Sequence, residues 1–219
     1  MIKVSIFILA IFLTATTNHA NALVDVPTLR LGLGQSPLTF NAGSAFKNSK
    51  LQSKLLLNPM FLWDVPSLRS RLGFHFLADL ATKYGAVATA GVGITAVFYP
   101  LGLSSSREVR DDFAEVIKTR ISPYFQFSMT PTKFSVTQTP DPSSPIYSLP
   151  NRWPYFSARI VEISMGVGVD YPVADDFVVF GGLHYRTAAF STQEANSDGS
   201  GEIGYSGTAL IVGFMTNFY

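Results

Sequence analysis

The chain contains no cysteine. A disulfide framework, a thiolate metal site and lipid attachment through an amino-terminal cysteine are therefore excluded. Charge is also scarce: Asp, Glu, Lys and Arg make up 14% of the 219 residues, where soluble globular domains carry about a quarter. The charges that are present nearly cancel, with 16 basic residues against 15 acidic ones, and no run of one sign stands out. Neither nucleic acid nor a polybasic membrane contact is expected of such a chain. Histidine is rare as well, at three residues, of which His19 lies in the leader described next.

Long apolar runs are also few. Near the start, Lys3 precedes an apolar stretch from Val4 to Leu13, and Ala20-Asn21-Ala22 supplies small residues suited to a signal peptidase. A run of about ten residues is too short for a bilayer core of about 30 Å. Residues 1–22 are accordingly expected to be a cleaved export signal, and residues 23–219 to form one domain. The other run, Ala86 to Leu103, has no charge over eighteen residues and so invites reading as a transmembrane helix. Its order argues for a strand: Ala88, Ala90, Val92, Ile94, Ala96 and Phe98 alternate with Thr89, Gly91, Gly93 and Thr95, and Gly91, Gly93 and Pro100 would weaken a helix.

Period-two alternation is what the sequence has in abundance. In Val161 to Tyr171, one face is Val161, Ile163, Met165, Val167, Val169 and Tyr171, and the other is Glu162, Ser164, Gly166, Gly168 and Asp170. Eight such stretches are expected at 28–40, 54–64, 69–82, 86–99, 119–133, 156–171, 177–190 and 204–219. Eight apolar faces with so little charge to cover the remainder favour one antiparallel sheet closed on itself, apolar toward lipid and polar inward. Each stretch is long enough for a tilted span of about 9 to 11 residues. An even count puts both chain ends on the periplasmic side.

A signal peptide, eight alternating strands and an aromatic last residue resemble the small eight-stranded outer-membrane proteins of Gram-negative bacteria, of the OmpA, OmpX and OmpW types. The resemblance implies an all-β, up-and-down transmembrane barrel in the outer membrane. It further implies insertion by machinery that reads the last strand and Phe218-Tyr219, and a monomer in contact with outer-membrane lipid and lipopolysaccharide. Trp63, Tyr99, Tyr171, Phe218 and Tyr219, at the ends of descending strands, are expected to form the periplasmic aromatic girdle. In the last strand, either Asn217 and Gly213 or Phe214, Val212 and Leu210 face the lipid, depending on register.

Loops at 41–53, 134–155 and 191–203 fall outside the cell by strand parity. The connection at 100–118 is long for the periplasmic side. Within it, Ser105 and Glu108 have capping-box spacing, and Val109, Phe113, Val116 and Ile117 form a stripe, so 104–118 is expected to be a short amphipathic helix. Parity gathers Arg30, Arg71, His75, Asp79, Tyr124, Gln126, Glu162, Asp170, His184 and Arg186 inside the barrel. Three arginines then face three carboxylates, which a narrow lumen tolerates when they are paired or hydrated. Lys133 and Arg159, at the outer ends of adjacent strands, with Arg152 in the loop between them, are candidates to hold lipopolysaccharide phosphates.

Neither a Gly-Xaa-Ser-Xaa-Gly elbow nor a His-Glu-Xaa-Xaa-His signature occurs. Both remaining histidines, His75 and His184, are expected to point away from lipid. No catalytic residue, metal or cofactor is expected, and the expected role is a non-enzymatic structural or surface role in the cell envelope. The alternatives are a narrow channel for small solutes and a lipid A-modifying enzyme.

Overall fold

The computed structural model describes residues 27–42, 49–82, 85–110, 114–138, 155–193 and 203–217. Among the described residues ten strands occur in chain order: β1 (Thr28–Ala42), β2 (Ser49–Val65), β3 (Ser70–Thr82), β4 (Gly85–Phe98), β5 (Ser105–Arg110), β6 (Ala114–Thr119), β7 (Ser122–Gln138), β8 (Tyr155–Ala174), β9 (Phe177–Gln193) and β10 (Ile203–Asn217). Eight of them close into an antiparallel barrel in the order β1-β10-β9-β8-β7-β4-β3-β2. Closure is made by β1 against β10, from Thr28 opposite Asn217 to Ala42 opposite Ile203. Because every barrel strand has two neighbours, no backbone edge is left open along the wall, which is the condition a sheet must meet to cross lipid.

The alternation fixes which residues face in. Along β4, Thr89, Gly93, Thr95 and Val97 are buried while Ala90, Val92 and Phe98 are exposed. The outer wall is apolar: Leu33, Phe61, Phe74, Val92, Phe125, Phe127, Met165, Val167, Leu183 and Tyr185 are all exposed. In β10, Leu210, Val212 and Phe214 are exposed while Ala209, Ile211 and Met215 are buried, which decides the register of the last strand in favour of its apolar set. Ala86 to Leu103 is no helix; most of it is β4, and among the described residues no helix is long and apolar enough to cross a membrane.

The connection after β4 departs from expectation. In place of an amphipathic helix at 104–118, β5 and β6 pair as a separate two-stranded sheet, Ser105 opposite Thr119 through Arg110 opposite Ala114. The apolar stripe fits a helical period, but Val109, Val116, Ile117 and Thr119 are β-branched, and such residues favour the extended chain. This hairpin belongs to the end of the barrel that also carries the first residue of β1, the last of β10, the 3-10 turn Pro66–Leu68 and the turn between Ala174 and Phe177. That end is called the turn end below. The opposite, loop end has longer strands than expected: β1 runs to Ala42, β2 starts at Ser49 and β7 runs to Gln138.

Candidate functional site: a charged lumen

Alternation sends one residue in two into the lumen, and eight strands leave a bore that side chains can fill. Arg30, Arg71, His75, Asp79, Tyr124, Gln126, Glu162, Asp170, His184 and Arg186 are all buried there. Their charged members divide by height into two ionic layers.

The layer nearer the loop end centres on Arg186 of β9. Its guanidinium donates to Glu162 on the neighbouring β8, Nε to Oε1 at 2.7 Å and Nη2 to Oε2 at 2.8 Å, as a bidentate fork. The same group donates from Nη2 to Asp79 Oδ2 at 2.7 Å and from Nη1 to Asp79 Oδ1 at 3.2 Å. Asp79 lies on β3, four strands round an eight-stranded ring, so this ion pair spans the bore. Thr89 donates to Asp79 at 2.8 Å, and the Tyr205 hydroxyl donates to Glu162.

The layer nearer the turn end joins β1, β2, β3 and β8. Arg71 donates from Nε to Asp64 Oδ1 at 2.6 Å, and Arg30 Nη1 lies 3.2 Å from Asp170 Oδ1. Tyr99 and Ser104 complete it, their hydroxyls donating to Asp170 Oδ2 at 2.8 and 3.0 Å. Arg30 and Arg71 each donate from Nη1 to the Tyr99 hydroxyl at 3.3 Å. The Arg30 guanidinium is also sandwiched, 3.7 Å from the Phe180 ring centroid and 4.3 Å from that of Tyr124, where cation–π attraction adds to ion pairing.

Between the layers lie His75, Gln126 and His184. His75 Nε2 shares a 2.6 Å hydrogen bond with Thr130 Oγ1 on β7, so its partner comes from another strand and not from Asp79 four residues on. The His184 ring lies over Gly166, and Tyr124 lies over Gly168 and Gly182; a side chain at any of these glycines would run into the ring above it. Register puts Gln126, Gly166 and His184 side by side on β7, β8 and β9. Glycine there is a matter of space, letting a large inward ring lie flat against the opposing backbone.

The chain after β4 enters the turn-end mouth. Tyr99 N–H donates to Arg69 O, Ser122 Oγ donates to Gly102 O, and Leu103 and Ser104 are buried. Tyr99 is therefore not part of the lipid-facing girdle. Phe98 takes the outer position at the end of β4, and parity turns Tyr99 inward, with none of its surface exposed. Trp63 lies edge-on to exposed Phe74, and Tyr171 is exposed on the outer wall; Phe218 and Tyr219 lie outside the described residues.

Asp64, Thr89, Ser104, Thr130 and Tyr205 are the site residues that alternation alone does not single out. Asp64, Thr89, Thr130 and Tyr205 stand on strands at inward-reaching positions, but their partners are set by the stagger of the barrel. Ser104 reaches Asp170 only because the connection folds back into the mouth.

No family profile and no curated protein matches the chain. Solved structures do. Neisserial surface protein A superposes with a TM-score of 0.54 at 10% identity, covering 88% of this chain and 97% of that one. A major outer membrane protein of Thermus thermophilus gives 0.46 at 13% identity, with 89% and 100% covered. The N-terminal barrel domain of Pseudomonas aeruginosa OprF gives 0.42 at 10% identity, with 86% and 96% covered. The fold is that of the small outer-membrane β-barrels.

On this outer-membrane-type barrel, Lys133 and Arg159 are exposed on the outer wall toward the loop end, and they are direct register partners across β7 and β8. Arg152 lies outside the described residues.

Proposed function

We propose that this protein is an integral outer-membrane β-barrel of a Gram-negative cell, exported by its leader and inserted as a monomer. Its lumen is closed, and its non-enzymatic role is carried by its outer surface and loops. The observation that supports this best is the pair of ionic layers. Arg186 with Asp79 and Glu162 crosses the bore at one height, and Arg30 and Arg71 with Asp170, Asp64 and Tyr99 fill it at another. An ion moving along the axis would have to separate buried charge pairs twice, and breaking one buried pair alone costs about 3–5 kcal/mol. The wall supports the membrane location, since the exposed face is apolar while the buried face carries the arginines and carboxylates, the reverse of a soluble sandwich.

The test is single-channel recording from folded protein in planar bilayers. Silence, with folding verified by a heat-dependent gel shift, is the expected result. Reproducible conductance steps that change when Arg71 or Glu162 is neutralised would instead establish the narrow-channel reading. A mass change in lipid A on expression would establish the lipid-modifying one.

A further inference from the structure

We propose that residues 100–104 form a strap that closes the turn-end mouth of the lumen and lifts out on its own, while the barrel stays shut. The proposal rests on the closed-lumen reading given above and adds the end at which closure yields.

Topology is the first support. The barrel passes directly from β4, ending at Phe98, to β7, starting at Ser122. The wall pairings continue without the segment between them, Phe98 opposite Phe125 and Ser122 opposite Asp170. Elsewhere the turn end is crossed within a few residues, by Pro66–Leu68 and Arg69 after β2, and between Ala174 and Phe177 after β8. The strap is thus additional to what closing the sheet requires.

The second support is how the strap is held. Side chains tie it to the mouth: Ser104 Oγ donates to Asp170 Oδ2 at 3.0 Å, and Ser122 Oγ donates to Gly102 O at 2.9 Å. Arg69 Nη1 donates to Pro100 O at 3.0 Å. Its backbone bonds, by contrast, are local. Gly102 N–H donates to Tyr99 O, and Arg120 N–H donates to Ser104 O, each at 2.8 Å. The second of these joins the strap to the stem of the β5–β6 hairpin, so strap and hairpin swing as one piece without breaking either bond. Tyr99 is the root of that movement, because its own N–H is held by Arg69 O on the wall.

The third support is shape. Gly102 has a φ of +94°, the left-handed region that favours glycine. On either side of it, Leu101 faces out, 61% exposed, while Leu103 enters the buried cluster that includes Val97, Tyr99 and Tyr124. One apolar side chain and one hydroxyl therefore stop the mouth. A segment with so few buried contacts opens at a smaller cost than the sheet it rests on. Farther in, Arg186 with Asp79 and Glu162 crosses the bore without using any strap residue. Lifting the strap accordingly uncovers a blind pocket beside Tyr99 and Asp170 and opens no through passage.

The chain has no cysteine, so one introduced thiol reports one position. The experiment folds Leu103→Cys and, separately, Ala209→Cys into detergent micelles, where both ends of the barrel meet water. Labelling by a water-soluble maleimide is followed by mass spectrometry on protein that passes the heat-dependent gel shift. Both positions are buried, Leu103 under the strap and Ala209 on the lumen face of β10. The expected result is labelling of Leu103→Cys at least about tenfold faster than that of Ala209→Cys. Adding Ser104→Ala, which removes a hydrogen bond to a carboxylate, is expected to speed the first by about tenfold and leave the second unchanged. Where Leu103→Cys does not fold, Ser104→Cys, a near match in size, takes its place in the comparison with Ala209→Cys. Equal and slow labelling at the two positions overturns the strap and leaves the closed lumen standing. Fast labelling at both overturns the closed lumen as well. A rate at Leu103→Cys that Ser104→Ala does not change overturns the latch on Asp170, and with it the strap.

Discussion

Arg186 and Asp79 meet across the full width of the barrel, from β9 to β3, with Nη2 and Oδ2 2.7 Å apart. Glu162 on the adjacent β8 holds the Nε side of the same guanidinium, so the cation serves two carboxylates at once. Arg186→Ala leaves two carboxylates buried without their cation, and the expected loss of stability is about 3–5 kcal/mol, read from urea unfolding in lipid vesicles. Replacing the triad together by Met at 186 and Leu at 79 and 162 removes the charges along with their desolvation penalty. That variant is expected to unfold within about 1 kcal/mol of the parent or above it. A triple variant as unstable as Arg186→Ala would show that the layer contributes more than it costs to bury.

Two lumen tyrosines should respond differently to loss of the hydroxyl. The Tyr99 hydroxyl donates to Asp170 and accepts from Arg30 and Arg71, whereas the Tyr124 hydroxyl is buried without a hydrogen-bond partner among the described residues. Tyr99→Phe is expected to cost about 1–3 kcal/mol, and Tyr124→Phe less than about 0.5. Equal unfolding midpoints for the two variants would refute this difference.

Gly166 is expected to tolerate no side chain while His184 is present. A methyl there meets the imidazole, so Gly166→Ala should destabilise by about 1–3 kcal/mol through overpacking. Pairing it with His184→Ala frees that space, and the double variant should be more stable than the two single effects added together. A thermodynamic cycle with no coupling energy would show that the ring moves aside freely.

Arginine placed on the outer wall gives a direct gauge of depth. Val167 lies mid-wall on β8 and Val173 near the turn end, both exposed. In a bilayer, Val167→Arg is expected to cost about 2–4 kcal/mol and Val173→Arg about 0–1. A soluble barrel would show no such gradient, so equal costs for the two would count against a transmembrane wall.

Much of this fold is legible because a strand's period survives in the sequence. The polar face of Val161 to Tyr171, with Glu162 and Asp170, is the face that turns inward, and Thr89 to Thr95 does the same on β4. The pairings are less accessible. Alternation says that Arg186 and Asp79 both point inward, but their meeting depends on the stagger and closure of eight strands, which no local window contains. Tyr99 is misleading because its position before Pro100 resembles Tyr171 before Pro172, while its parity from Phe98 points inward. The hairpin at 105–119 is hidden because Val109, Val116 and Ile117 suit two periods over so short a span, and pairing Ser105 with Thr119 satisfies the backbone locally.

The turn-end layer draws its members from both sides of the closing seam. Arg30 belongs to the first strand and Asp170 to β8, three strands away through β10 and β9, so their distance is fixed only once β1 has zipped to β10. A sheet that stops short of closure carries an arginine and an aspartate with their mates out of reach. In lipid that is an expensive intermediate. The charge inside the barrel thus favours the completed ring over the open ribbon.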